Sequence, residues 1–221
     1  MKKLTIFLFR HGQTTYNRDQ QFTGWENPPL TELGIQQARQ IAEKLKNEKF
    51  QIAYHTSLIR SKDTLKEVLQ YHPECTRLIE DDRMIERNYG DLNGMSHETF
   101  IKNMGEKLYK LEVEGDLITD LTPEGKLEAE KFLGEQEYNL IHRGFHIPPP
   151  RGESFAMVEE RVRAFITDLR EMMKKEQVNV AISAHGNSIR LFRKIMENAS
   201  VAETVSWQIP FDSFFEYEMT L

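Results

Sequence analysis

The sequence holds a single cysteine, Cys75. That excludes an intramolecular disulfide framework and a cysteine zinc cage. No apolar run approaches the roughly 18 residues needed to span a membrane. The first apolar stretch, Leu4 to Phe9, is short and ends in Arg10-His11, without the apolar core and cleavage site of a secretion signal. The expected compartment is therefore the cytoplasm. There is no internal repeat, no low-complexity segment and no basic tract, which argues against a nucleic-acid or membrane-surface partner. What remains is a chain of 221 residues with a globular balance of apolar and charged residues, long enough to bury a core as one domain over 1–221. Its formal charge of −6 is concentrated between Glu106 and Glu137, where ten acidic residues face four basic ones. The rest is balanced, so an anionic ligand would need a few focused cations.

The hydrophobic pattern alternates strands and helices. Lys3 to Phe9, Gln51 to Thr56, Thr76 to Glu80, Val178 to Ala184 and Ser213 to Met219 read as strands. Thr31 to Lys46, Leu58 to Leu69, Glu153 to Lys174 and Asn187 to Met196 read as helices, the first capped by Thr31. Met95 to Leu140 is the least regular stretch, with weak helical patterns broken by Gly and Pro. Pro148-Pro149-Pro150 reads as rigid and extended. The order predicts a three-layer α/β/α sandwich on a mostly parallel sheet, with an inserted helical lid segment at about 95–150. Ligands of such folds sit beyond the carboxyl ends of the strands.

Two strands end there in the same dipeptide: Phe9-Arg10-His11-Gly12, and Ala184-His185-Gly186-Asn187, expected at about the sixth strand. Parallel strands place both ends on one edge, so His11 and His185 can face each other. A lone histidine at a strand end is ordinarily structural, whereas two matched His-Gly pairs point to a site. No His-Glu-x-x-His and no Asp cluster accompanies them, so a metal is not expected. Arg60 falls at the start of a helix just after a strand, where a guanidinium and helix amides suit an oxyanion. Singly it reads as a surface residue; with Arg10 it reads as part of an anion pocket.

Leu8-Phe9-Arg10-His11-Gly12-Gln13-Thr14 resembles the R-H-G-x-[ST] signature of the histidine phosphatase superfamily, the phosphoglycerate mutase-like proteins. Phe22-Thr23-Gly24-Trp25 with Pro29 to Gly34, Ser57 through Arg60 to Thr64, Glu86-Arg87-Asn88-Tyr89-Gly90, Arg143-Gly144-Phe145 with Gly152-Glu153-Ser154, and His185-Gly186-Asn187-Ser188 with Arg190 resemble further motifs of that family in its order. The resemblance implies that His11 attacks phosphorus to form a phosphohistidine, and that Arg10, Arg60 and His185 surround the phosphoryl oxygens. It implies that Glu86 is the general acid, a role that suits a carboxyl group whose pKa is raised by burial or by phosphate. A surface ion pair with Arg87 is the plainer reading of Glu86. Asn17, Thr23, Gly24, Tyr89, Arg143, Gly186 and Asn187 resemble contacts to phosphate and substrate. Trp25, Phe22 and Phe145 fit either a pocket or ordinary core.

Two positions depart from the mutases. His97 stands where a lysine is usual, and His142-Arg143 where paired arginines are usual. The last expected strand runs almost to Leu221, so the tail that helps cover many mutase sites is expected to be absent. The leading expectation is interconversion of 3- and 2-phosphoglycerate, primed by 2,3-bisphosphoglycerate and needing no metal. The alternative is a phosphomonoesterase for a small phosphorylated metabolite. A non-catalytic interaction protein on the same fold is a third reading. A homodimer is compatible with the sequence.

Overall fold

Strand β1 (Lys3–Arg10) explains most of the architecture. Its apolar run is continuous because both of its faces are covered. Leu4, Ile6 and Leu8 point into one core cluster, and Phe7 and Phe9 into another on the opposite face. The computed structural model describes residues 3–119 and 121–220. Along these, β1 is followed by a short helix α1 (Thr15–Arg18), then α2 (Glu32–Leu45), β2 (Ile52–His55), α3 (Ile59–Leu69) and β3 (Arg77–Glu80). Two 3-10 turns, Asp82–Met84 and Gly90–Leu92, precede the long helices α4 (His97–Glu114) and α5 (Pro123–Arg143). The chain continues through α6 (Phe155–Glu176), β4 (Val180–Ala184), α7 (Gly186–Glu197), α8 (Val201–Ser206) and β5 (Phe214–Thr220).

The sheet order is β3-β2-β4-β1-β5. Pairing is parallel throughout except at β5, which closes the edge antiparallel with Phe215 opposite Leu8. Helices α6 and α7 cover one face, where Val158, Val162, Phe165 and Leu169 meet the even-numbered residues of β1. Helices α2 and α3 cover the other through Ile41, Leu45, Leu65 and Val68. The expected sandwich is therefore present, and its helices start where local chemistry sets them. The Thr31 hydroxyl accepts from the Gly34 amide at 3.0 Å, and the Ser154 hydroxyl from the Met157 amide at 3.3 Å. The second His-Gly pair ends the fourth strand rather than the sixth.

The stretch from Met95 to Leu140 is more regular than its sequence suggests. Instead of broken fragments it forms the α4–α5 hairpin. The weak amphipathic signal has a physical cause: the two helices pack chiefly on each other. A Cβ on Gly105 would lie 2.0 Å from the Glu130 carbonyl oxygen, and one on Gly134 2.0 Å from that of Ile101. Two glycines thus let the backbones touch where larger side chains would normally mark a buried stripe. Leu111, Leu127, Phe132 and Leu140 stay exposed, which blurs the pattern further. The base of the hairpin joins a third apolar cluster through Phe100 and Ile141, with Phe22, Tyr89 and Leu92.

Candidate active site

The carboxyl ends of β1 and β4 bring His11 and His185 together, with ring centroids 5.1 Å apart. The direct pairing of the two strands, with Arg10 opposite Ala184, puts the histidines side by side. Both rings are buried. His11 Nδ1 lies 2.7 Å from the Gly12 carbonyl oxygen, which can only accept, so Nδ1 carries the proton. Nε2 is left with its lone pair, to which Arg60 Nε donates at 3.2 Å. Burial, then the charges of Arg60 and Arg10, hold His11 well below the ordinary histidine pKa. The imidazole is therefore neutral, with Nε2 as its nucleophilic atom.

Arg60 is itself fully buried at the start of α3. Its remaining donors bind the carbonyl oxygens of Glu26 (2.7 Å) and Gly24 (2.8 Å), tying down the loop that carries Thr23 and Gly24. The spacing of the Ser57-to-Thr64 motif is explained by contacts around it. Ser61 donates to the Ser183 carbonyl at 2.8 Å, docking α3 on β4. The Thr64 hydroxyl accepts from the Gly12 amide at 3.0 Å and donates to the Arg60 carbonyl at 2.8 Å. Arg10 rests its guanidinium 3.8 Å over the Phe211 ring and donates to the Ile209 carbonyl. Burial lowers both Arg10 and Arg60 to about 10, so both remain cations.

His185 shares a hydrogen bond of 2.8 Å between Nε2 and the Thr56 hydroxyl, while its buried Nδ1 has no partner among the described residues. Burial, with Arg60 next, holds His185 well below the ordinary histidine range, so it supplies a neutral hydrogen-bonding edge rather than a charge. Glu86 is buried with Oε1 accepting from the amides of Arg87 (2.8 Å) and Asn187 (3.1 Å). It does not form the surface ion pair with Arg87. That guanidinium is fully buried between the rings of Tyr89 and Phe155, and donates to the Ile141 carbonyl at the end of α5.

A cavity of about 410 Å³ opens in front of this cluster. It is lined by Arg10, Asn17, Thr23, Gly24, Glu86, Tyr89, Arg143, Gly186 and Asn187, which brings the expected contact residues to one place; His11, Arg60 and His185 are buried and are not part of the lining. The α4–α5 hairpin supplies a wall of His97, Tyr138, His142 and Arg143. The Tyr138 hydroxyl and His97 Nδ1 are 3.2 Å apart, and the Tyr138 and His142 rings 4.9 Å. Burial, then the charge of Arg143, pushes His142 down to about 2, and burial lowers His97. Both replacements of the usual basic residues are thus neutral rings in an aromatic wall. Phe22 belongs to that wall and to the cluster beneath it. Trp25 is largely exposed but donates to the Glu86 carbonyl at 2.8 Å, and Phe145 stacks on Phe155 in the core.

Arg190 is not among the contact residues expected from the sequence, yet it lines the cavity, donating to Asn187 Oδ1 at 2.9 Å and to the Trp207 carbonyl. Its position three residues after Asn187 on a helix is a usable signal. Tyr138 and Phe211 have none, since they arrive from distant elements. Among the described residues, no group of three or more His, Cys, Asp and Glu is arranged to hold a metal ion, and no helix is long and apolar enough to cross a membrane.

The family model of the histidine phosphatase superfamily (branch 1) matches residues 6–116 and 122–219. The chain belongs to this superfamily of enzymes. It is 30% identical over 219 residues to the 2,3-bisphosphoglycerate-dependent phosphoglycerate mutase of Parvibaculum lavamentivorans, covering 97% of this chain and 90% of that one. Among solved structures, the phosphoglycerate mutase of Bacillus anthracis superposes with a TM-score of 0.70 at 19% identity, covering 99% of this chain and 88% of that one. The alpha-ribazole phosphatase of Shigella flexneri superposes with a TM-score of 0.71 at 20% identity, covering 96% and 89%. These two structures establish the shared fold.

Proposed function

We propose that this enzyme is a phosphoglycerate mutase-type phosphotransferase that works through a phosphohistidine on His11. The observation that carries the reading is the distribution of cations. One set, Arg10 and Arg60, adjoins His11. A second lies on the cavity wall, where the Arg143 side chain forms no hydrogen bond or ion pair with a described residue and stands beside Arg190. Glu86 is the single carboxylate among the described residues of the lining. A small molecule with anionic groups at two ends fits such a site, and the name of the mutase relatives supports the same assignment.

In the forward step, His11 Nε2 attacks phosphorus. The P–N bond forms as the ester P–O bond breaks, and the departing oxygen takes a proton from Glu86 in its acid form. Arg10 and Arg60 stabilise the charge spread over the phosphoryl oxygens. The return step reverses this, with Glu86 accepting the proton of the attacking hydroxyl. Two buried side-chain atoms without a partner among the described residues, Arg10 Nε and His185 Nδ1, belong to neighbours of His11 and fit a polyanion such as 2,3-bisphosphoglycerate. That compound supplies the phosphoryl group that primes the enzyme, and Arg10, Arg143, Asn17 and Asn187 would hold it. The α4–α5 hairpin acts as the lid that keeps water from the phosphohistidine.

A phosphomonoesterase is the second reading, favoured by the neutrality of His97 and His142 in the wall that would meet a substrate carboxylate. Product analysis separates the two. With 3-phosphoglycerate, the mutase forms 2-phosphoglycerate, is stimulated by added 2,3-bisphosphoglycerate and releases little phosphate. Free phosphate without isomerisation would overturn the mutase and assign a phosphatase.

A further inference from the structure

Glu86 sits on irregular backbone between two 3-10 turns, so although the Asn187 amide of α7 meets its carboxylate, no helix or strand of its own fixes the backbone that carries it. One side chain from α6 takes over that task. Arg161 NH1 donates to the carbonyl oxygens of Arg83 and Ile85, each at 2.8 Å, and NH2 donates to that of Glu86 at 3.0 Å. The same guanidinium forms a two-pronged ion pair with Glu153, from Nε to Oε1 and from NH2 to Oε2, both at 3.1 Å. Glu153 in turn grips the far side of the segment. Its Oε2 accepts from the Asn88 amide at 2.9 Å, and its own amide donates to the Asn88 carbonyl at 2.8 Å. Arg161 is mostly buried, and its five donor hydrogens are committed to this one segment and to the carboxylate that braces it.

We propose that Arg161 is a positioning residue for proton transfer: its guanidinium, braced by Glu153, holds the backbone of residues 83–88 so that the Glu86 carboxyl meets the oxygen that leaves phosphorus. The inference rests on the reading of Glu86 as the general acid. Arg161 does not touch the reacting atoms. A planar fork is required, because a lysine ammonium cannot serve three carbonyls and both oxygens of a carboxylate at once.

The test uses leaving-group dependence, which a structural tie would not move. An aryl ester, p-nitrophenyl phosphate, expels a stable anion and needs little protonation; an alkyl ester, 3-phosphoglycerate, needs the acid. The readout is the ratio of alkyl to aryl rate of His11 phosphorylation, measured by rapid quench. Glu86→Gln is expected to lower that ratio about 100-fold, in keeping with loss of a general acid. Arg161→Gln is expected to lower it at least about tenfold, since small misplacements of a reacting group are costly. The double variant should fall no further than Glu86→Gln alone. If Arg161→Gln does not fold, as judged by its melting curve, Arg161→Lys is measured on the same ratio with the same expectation. An unchanged ratio with both esters slowed in parallel, or a double variant whose losses multiply, overturns the positioning role while leaving Glu86 as the acid. A Glu86→Gln variant with an unchanged ratio overturns the acid assignment itself, and Arg161 falls with it.

Discussion

His11 has one ring lone pair to offer, and the backbone decides which. The Gly12 carbonyl takes the Nδ1 proton, so Nε2 faces Arg60 unprotonated. A His11→Ala variant is expected to lose phosphoenzyme formation altogether while keeping its fold, because Arg60 retains the carbonyls of Gly24 and Glu26. Labelling with radioactive 2,3-bisphosphoglycerate checks this, and acid-labile label on the variant would contradict it. At this scale much of the site is legible in the sequence, since His-Gly pairs and arginines at strand ends and helix starts carry their own chemical meaning. Arg87 is the instructive omission. Its place next to Glu86 suggests a partner for that carboxylate, whereas its cation is held by aromatic faces 4.4 and 4.6 Å away. Nothing in a local pattern reveals an aromatic clamp assembled from residues 89 and 155.

Among the elements, the α4–α5 hairpin is where local reading falls short. Its helices contact through glycines and expose several large apolar side chains, so the periodicity that identifies α2 and α6 is diluted. The sheet is easier to read, because strands buried on both faces appear as unbroken apolar runs. The close contact has a measurable consequence. Gly134→Ala would drive a methyl group into the Ile101 carbonyl, and overpacking of this kind costs about 1–3 kcal/mol. Urea unfolding should register that loss. Steady-state kinetics should show KM for 3-phosphoglycerate rising as well, because the same helix carries Tyr138, His142 and Arg143 to the cavity. Unaltered kinetics in a destabilised variant would uncouple the hairpin from substrate binding.

For the molecule as a whole, several neutral histidines make stability depend on pH. Unfolded histidines titrate near pH 6.5. In the native protein His11 and His185 titrate well below that, and His142 at about 2. Below pH 6.5 the unfolded chain therefore binds more protons than the native one, and stability rises with pH. This contribution is present in full above pH 6.5 and is lost as the pH falls. Each of the three histidines removes up to about 1.4 kcal/mol per pH unit. Urea midpoints at about pH 7 and about pH 5.5 should differ accordingly. His142→Gln should narrow the difference, and an equal drop in variant and parent would show that His142 is not held neutral.

The surplus of enclosed positive charge also links folding to occupancy. Arg60 and Arg87 are fully buried and Arg190 nearly so, and Glu86 is the one carboxylate among the described residues that line the cavity. An anion bound at the cavity arginines is expected to offset their mutual repulsion and so to favour the native chain over the unfolded one. Occupancy at a hundredfold excess over the dissociation constant adds about 2.7 kcal/mol to stability. A melting curve taken across a panel of phosphate esters is therefore expected to rank them by fit before any turnover is seen.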